Sequence, residues 1–164
     1  MTEAIRVAVL VSSDKSAKGE REDLSGPAIV SKLHGLAEVA AQEIVPDEKE
    51  LIIEKLITYA DELKVDIVFT SGGTGLAPRD VTPEATLEVC DRLVPGITDA
   101  MRLRSMEMTD RAMLSRAVAG IRGRTLIINL PGSPKAVREC LDVFLPVMDH
   151  AVETLRGEAV ECAH

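Results

Sequence analysis

VFTSGGTGLAPRDVTPEAT, residues 68–86, joins an apolar strand to the start of a helix through a glycine-rich turn. Gly72, Gly73 and Gly75 free the backbone to take positive φ and to approach a ligand closely, so that successive N–H groups converge on an oxyanion. Thr74 adds a hydroxyl, and Asp80 brings a carboxylate to the same rim. A carboxylate beside bound phosphate calls for a divalent cation that neutralises both. The helix beyond is announced by Thr82 as a cap, Pro83 in the first turn and Glu84 at the positive end. The motif matches neither the P-loop, which ends in Gly-Lys-Ser/Thr, nor the GxGxxG dinucleotide fingerprint. Strand, anion-cradling turn and helix in that order are the unit of an α/β protein.

The same alternation extends to both sides. Residues 5–12 are a β-branched apolar run, read as a strand buried on both faces. A polar loop over residues 13–25 follows, then a helix opened by Gly26-Pro27 and a strand over residues 37–45 that Pro46 stops. Asp47 is placed to cap a long amphipathic helix in which Leu51, Ile52, Lys55, Leu56 and Tyr59 recur at helical spacing. Residues 65–70 are the third strand, and helices follow over residues 83–92 and 95–108. Residues 115–121 and 125–130 are two more strands, joined so tightly by Arg122-Gly123-Arg124 that they pair antiparallel. Ser133 and Pro134 begin a helix, and residues 145–156 are helical beyond a kink at Pro146. The expected fold is a three-layer α/β sandwich: a mostly parallel sheet, one antiparallel strand pairing, and helices on both faces. Ligands should bind at the strand carboxyl ends.

Composition narrows the function. A chain of 164 residues is expected to form one domain over residues 1–164. With one Tyr, two Phe and no Trp, the core must be aliphatic. The net charge of -8 argues against nucleic acid as a partner, so an anionic ligand must be held by local features. Cys90, Cys140 and Cys162 are odd in number and lack metal-site spacing, which fits a reducing cytoplasm better than a disulfide framework. The amino-terminal apolar run is short and flanked by acids, a strand rather than a signal peptide, and no stretch is long enough to span a membrane.

A parallel sheet would bring Ser12, Ser13, Asp14, Pro46, Asp47, residues 70–80 and Pro131-Gly132-Ser133 to one crevice, with Arg79 and Lys135 adding positive charge. Alternatives remain at each acid: Asp47 and Asp80 both suit helix capping as well as a metal, and Ser115 suits a buried strand as well as a ligand. His34, His150 and His164 form no plausible triad with a nucleophile. Nucleophilic hydrolysis through a side chain is therefore disfavoured.

TSGGTGLAPRDVTPEAT at residues 70–86 and NLPGSPKAVREC at residues 129–140 resemble the molybdenum cofactor biosynthesis family, specifically the molybdopterin adenylyltransferases and the G domain of gephyrin. The opening strand and loop (residues 7–26), IVPDE (44–48) and LSRAVAGIRG (114–123) are similar in order and spacing, so the resemblance covers essentially the whole chain. It implies transfer of AMP from ATP to the terminal phosphate of molybdopterin, with release of pyrophosphate and with Mg²⁺ held by Asp47 and Asp80. Gly72, Gly73, Thr74, Gly75, Gly132, Ser133 and Lys135 would cradle phosphates, and Ser13, Asp14 and Ser115 would contact substrate. It also implies a cytoplasmic homotrimer and a molybdenum insertase as partner. Two other readings follow from the same resemblance: an insertase, which carries further domains beyond 164 residues, and a catalytically silent trimeric paralogue that binds pterin or nucleotide.

Overall fold

The computed structural model describes residues 3–158. Strands and helices alternate as β1 (Arg6–Ser12), α1 (Asp14–Ala17), α2 (Ser25–Leu33), β2 (Glu38–Val45), α3 (Lys49–Ile57) and β3 (Ile67–Ser71). They continue as α4 (Thr82–Val89), β4 (Arg92–Leu93), α5 (Pro95–Met106), β5 (Ala119–Arg122), β6 (Thr125–Leu130), α6 (Pro134–Phe144) and α7 (Met148–Arg156). One six-stranded sheet has the order β2-β1-β3-β6-β5-β4. Its first three pairings are parallel, β5 runs antiparallel to β6 as the tight Arg122-Gly123-Arg124 link requires, and the two-residue β4 extends that edge.

The strands feed two cores because successive side chains leave opposite faces of a sheet. Val7, Val9, Ile67, Phe69, Leu126 and Ile128 pack with α2, α5, α6 and α7. Ala8, Leu10, Val68 and Ile127 point the other way, onto α3 and α4. Each buried Val, Leu, Ile or Phe contributes about 1.5–3 kcal/mol of transfer free energy, so a strand apolar at every position stabilises both layers. The scarce aromatics are used where they count: Phe69 meets Phe144 edge-on at 6.0 Å, tying β3 to α6.

Several local expectations shift. The polar loop after β1 contains a helical turn, α1, because the Ser13 side chain accepts from Ser16 N and caps it. The helix read as continuous from Asp47 to beyond Tyr59 ends as an α-helix at Ile57 and passes into a π-helical turn, Thr58–Glu62. That wider turn buries Tyr59, whose hydroxyl donates to Glu43 Oε1 on β2 at 2.7 Å. Pro146 does interrupt the carboxyl-terminal helix, as a 3₁₀ turn, Leu145–Val147. Among the described residues no helix is long and apolar enough to cross a membrane, and Cys90 and Cys140 are free thiols. Cys162 and His164 lie outside the described residues.

Candidate active site at the sheet switch point

β1 and β3 are neighbours, yet the chain leaves β1 towards β2 on one flank while β3 borders β6 on the other. Such a reversal opens a crevice at the strand carboxyl ends. Here it is a cavity of about 510 Å³ whose walls include Ser12, Ser13, Asp47, Gly72, Gly73, Asp80, Gly132 and Ser133. The segments expected to converge from 12–13, 47, 72–80 and 132–133 therefore do so.

The glycine turn is dictated by what lies behind it. Gly72 has φ +91°, and a Cβ there would stand 2.4 Å from the Ser12 carbonyl oxygen. Gly73 has φ +70°, with its Cβ direction 2.3 Å from Thr82 Oγ1 and 3.6 Å from Asp47 Oδ1. An L side chain is excluded at both by conformation and by space. Gly75 differs from expectation: its φ is not positive. A side chain is excluded there by the Asp80 carboxylate, 2.8 Å from the Cβ position.

Neither aspartate caps the helix that follows it. Asp47 precedes α3, whose cap position is Glu48 without a side-chain bond. The Asp47 carboxylate turns back across the crevice, where Oδ1 accepts from Ser12 Oγ at 2.6 Å and Oδ2 from Asp14 N at 3.0 Å. Asp14 reciprocates, its Oδ1 accepting from Asp47 N at 3.0 Å. Asp80 closes its own turn, with Oδ2 accepting from Ala77 N at 3.0 Å. Thr82 is the first residue of α4, not its cap, and its fully buried hydroxyl has no hydrogen-bond partner among the described residues.

Charge around the crevice is arranged rather than simply positive. Arg79 spends its guanidinium on Asp14, at 3.0 Å from Nε to Oδ2 and 2.8 Å from Nη2 to Oδ1. That bond, helped by the Asp47 backbone, holds the Asp14 carboxyl down to about 2. Ser133 caps α6 by accepting from Ala136 N at 3.1 Å, which directs the positive helix end at the cavity wall. Lys135, two residues on, is exposed and does not line the cavity; nor does Asp14, which bonds to Asp47 in its wall.

A second cavity of about 280 Å³ lies beyond the same turn, lined by Thr74, Gly75 and Ser115 together with Met101, Leu114, Ala117, Pro131, Ala136 and Cys140. Ser115 is not on a strand. It follows a 3₁₀ turn, Asp110–Leu114, and its Oγ accepts from Ala117 N at 3.3 Å, a local bond that competes with sheet pairing. Arg116 N donates instead to Thr74 O at 2.8 Å, so the strand is delayed to Ala119.

Ser12, expected at the crevice without a role, orients Asp47 through the 2.6 Å bond above, and two further residues escaped the sequence reading. Asn129, fully buried on β6, donates to Thr70 Oγ1 and Thr86 Oγ1 at 3.0 and 2.9 Å and accepts from Val118 N at 3.0 Å. Its signal was available, since one amide inside LIINL demands buried partners. Arg116 binds the glycine loop, and nothing in its local sequence distinguishes it from a surface arginine.

The donors suit a hard cation. No group of three His, Cys, Asp or Glu gathers among the described residues. Asp47 and Asp80 line one cavity, and the orphan Thr82 hydroxyl and Asp47 Oδ1 both face the bare side of Gly73. One or two carboxylates with open space for phosphate oxygens are what Mg²⁺ uses, in contrast to a closed protein cage. The residues fit that ion.

Comparison with known proteins bears on the family and the fold. The molybdopterin adenylyltransferase of Helicobacter pylori J99 is 44% identical over 97% of this chain and 92% of its own length. That of Escherichia coli K12 is 39% identical, covering 97% and 89%. Among solved structures, the molybdopterin biosynthesis enzyme MoaB of Thermus thermophilus superposes with a TM-score of 0.89 at 52% identity, over 96% of this chain and 99% of that one. The tungsten cofactor synthesizing protein MoaB of Pyrococcus furiosus gives 0.84 at 37%, over 95% and 99%. Residues 8–150 match the MoCF_biosynth family, described as a probable molybdopterin binding domain, and the chain belongs to that family.

Proposed function

We propose that this chain is a molybdopterin adenylyltransferase. It transfers AMP from ATP to the terminal phosphate of molybdopterin: a phosphate oxygen attacks the α-phosphorus, the bond from that phosphorus to the bridging oxygen breaks, and pyrophosphate leaves with the electron pair. The observation that carries this reading is the pair of cavities divided by the Gly72–Gly75 turn, one edged with amides and carboxylates and the other largely apolar. Support also comes from the names of the relatives.

In this reading Gly72, Gly73, Thr74 and Gly75, with Gly132 and Ser133 at the positive end of α6, hold the phosphates of ATP, and Lys135 adds charge at the mouth. Asp47 and Asp80 are the catalytic carboxylates and hold Mg²⁺. The ion, when bound, neutralises phosphate charge and polarises the phosphorus under attack. Ser12 and Asp14 fix the rotamer of Asp47, and Ser13 borders the substrate side of the crevice. Ser115 orients the pterin in the apolar cavity. The attacking phosphate is already anionic, so no side chain must remove a proton, and neither His34 nor His150 lines either cavity. Positioning and charge stabilisation then account for the rate.

The same proposal includes a single domain over residues 1–164, a cytoplasmic location consistent with the free thiols, and a molybdenum insertase that receives the product. It includes a homotrimer, for which exposed Leu103, Met106, Met108, Met113 and Leu114 offer an apolar surface. The test is pyrophosphate release on mixing molybdopterin with Mg-ATP, for the native chain and for Asp47→Asn and Asp80→Asn. Magnesium-dependent release, lost in both variants, is the expected result. Tight pterin binding without release would make the protein a silent binding paralogue.

A further inference from the structure

We propose that Arg116 is a positioning residue that holds Asp80 at its working place by clamping both ends of the turn that carries it. Residues 72–81 contain no helix or strand, so their carbonyls have no ladder partners. The Arg116 fork supplies two of them: Nε donates to Gly75 O at 2.8 Å and Nη2 to Asp80 O at 2.7 Å. Its own backbone N–H donates to Thr74 O at 2.8 Å. The third arm, Nη1, is held by Glu84 on α4. A planar guanidinium with donors in a fixed geometry spans two carbonyls and a carboxylate at once, which an ammonium does not.

The clamp has a consequence for chemistry because of what adjoins it. Gly75 is the residue against which the Asp80 carboxylate rests, 2.8 Å from its Cβ position. Fixing Gly75 O and Asp80 O therefore fixes both the carboxylate and its backstop. Arg116 also follows Ser115, which lines the apolar cavity, so one short segment sets the spacing between the two halves of the site. This inference rests on the adenylyl transfer proposed above for its effect on rate, and on geometry alone for its effect on the turn.

Arg116→Lys and Arg116→Met test it in parallel. Lysine keeps the ion pair with Glu84 and loses the bridge between the carbonyls. Amide hydrogen exchange over residues 74–80 of the unliganded protein should quicken about tenfold in both variants while β1 and α6 keep their native protection. In the pyrophosphate assay kcat should fall about a hundredfold in both, with KM for ATP within about threefold of native. The melting temperature of Arg116→Lys should stay nearer to native than that of Arg116→Met. A lysine variant with native kcat, unchanged exchange over residues 74–80, or a kcat that merely follows the folded fraction would each overturn the positioning role. Absence of pyrophosphate release from the native protein would sink the adenylyl reading instead, and the exchange result would still decide whether Arg116 holds the turn.

Discussion

The two cavities on either side of the Gly72–Gly75 turn share a wall and little else. The larger, about 510 Å³, is edged by serine hydroxyls, glycine amides and the carboxylates of Asp47 and Asp80. The smaller, about 280 Å³, presents mostly apolar surface, with Met101, Leu114, Pro131 and Cys140 in its lining beside Thr74, Ser115, Arg102, Arg111 and Glu139. Burial pushes the Cys140 thiol up, so it presents a neutral S–H there. A substrate with a flat, weakly charged ring at one end and a phosphate at the other suits such a pair, with reaction at the junction. Under the proposed function the pair divides the labour: apolar surface supplies affinity, whereas fixed dipoles and charges supply the rate.

Removing charge from one side only is the most severe way to break the comparison. Asp80→Asn should lower kcat for pyrophosphate release by about a thousandfold. Its affinity for molybdopterin, measured by fluorescence titration, should stay near native, because the apolar cavity is untouched. Equal loss of both would mean that the cavities do not act separately.

Gly73→Ala attacks the wall itself. Positive φ and the approach to Thr82 together should cost about 3 kcal/mol of stability, read as a fall in the urea midpoint. Ser115→Ala sharpens the other side: loss of one polar contact should raise KM for molybdopterin about tenfold and leave KM for ATP unchanged. Steady-state kinetics with each substrate varied in turn measures both.

The smallest effect concerns pH. The folded Asp14 carboxyl is held down to about 2 from its usual 3.8, so the Arg79 pairing stabilises the fold above the unfolded value and that stabilisation is lost as pH falls towards the folded one. Asp14→Asn should therefore show a slightly lower urea midpoint than native at about pH 6, and the gap should close as pH drops from about 4 to about 2. A gap that persists at the acid end would assign the effect to lost packing.

Much of the fold was legible because the rules involved are local. Apolar residues at successive strand positions, Pro46 stopping β2, and Ser133-Pro134 starting α6 each act through their immediate neighbours, and the structure has all three. The glycine turn was legible for the same reason, although Gly75 owes its identity to Asp80 and not to positive φ. Thr82 and Asp47 looked like caps because each stands near the start of a helix, and capping preference ranks residues without knowing where their side chains are drawn.

By itself the sequence determined the α/β alternation, the aliphatic core, the glycine turn and the crevice that Asp47 and Asp80 line. Periodicity and backbone preference are short-ranged, so a single chain suffices to read them. Only the tertiary structure decided which group each acid answers to. Asp47 is taken by Ser12 and Asp14, 35 and 33 residues earlier. Arg116 reaches back 41 residues to Gly75 and 36 to Asp80. Hydrogen bonds act over about 3 Å, and which distant donors come within that range depends on how the sheet stacks its strands.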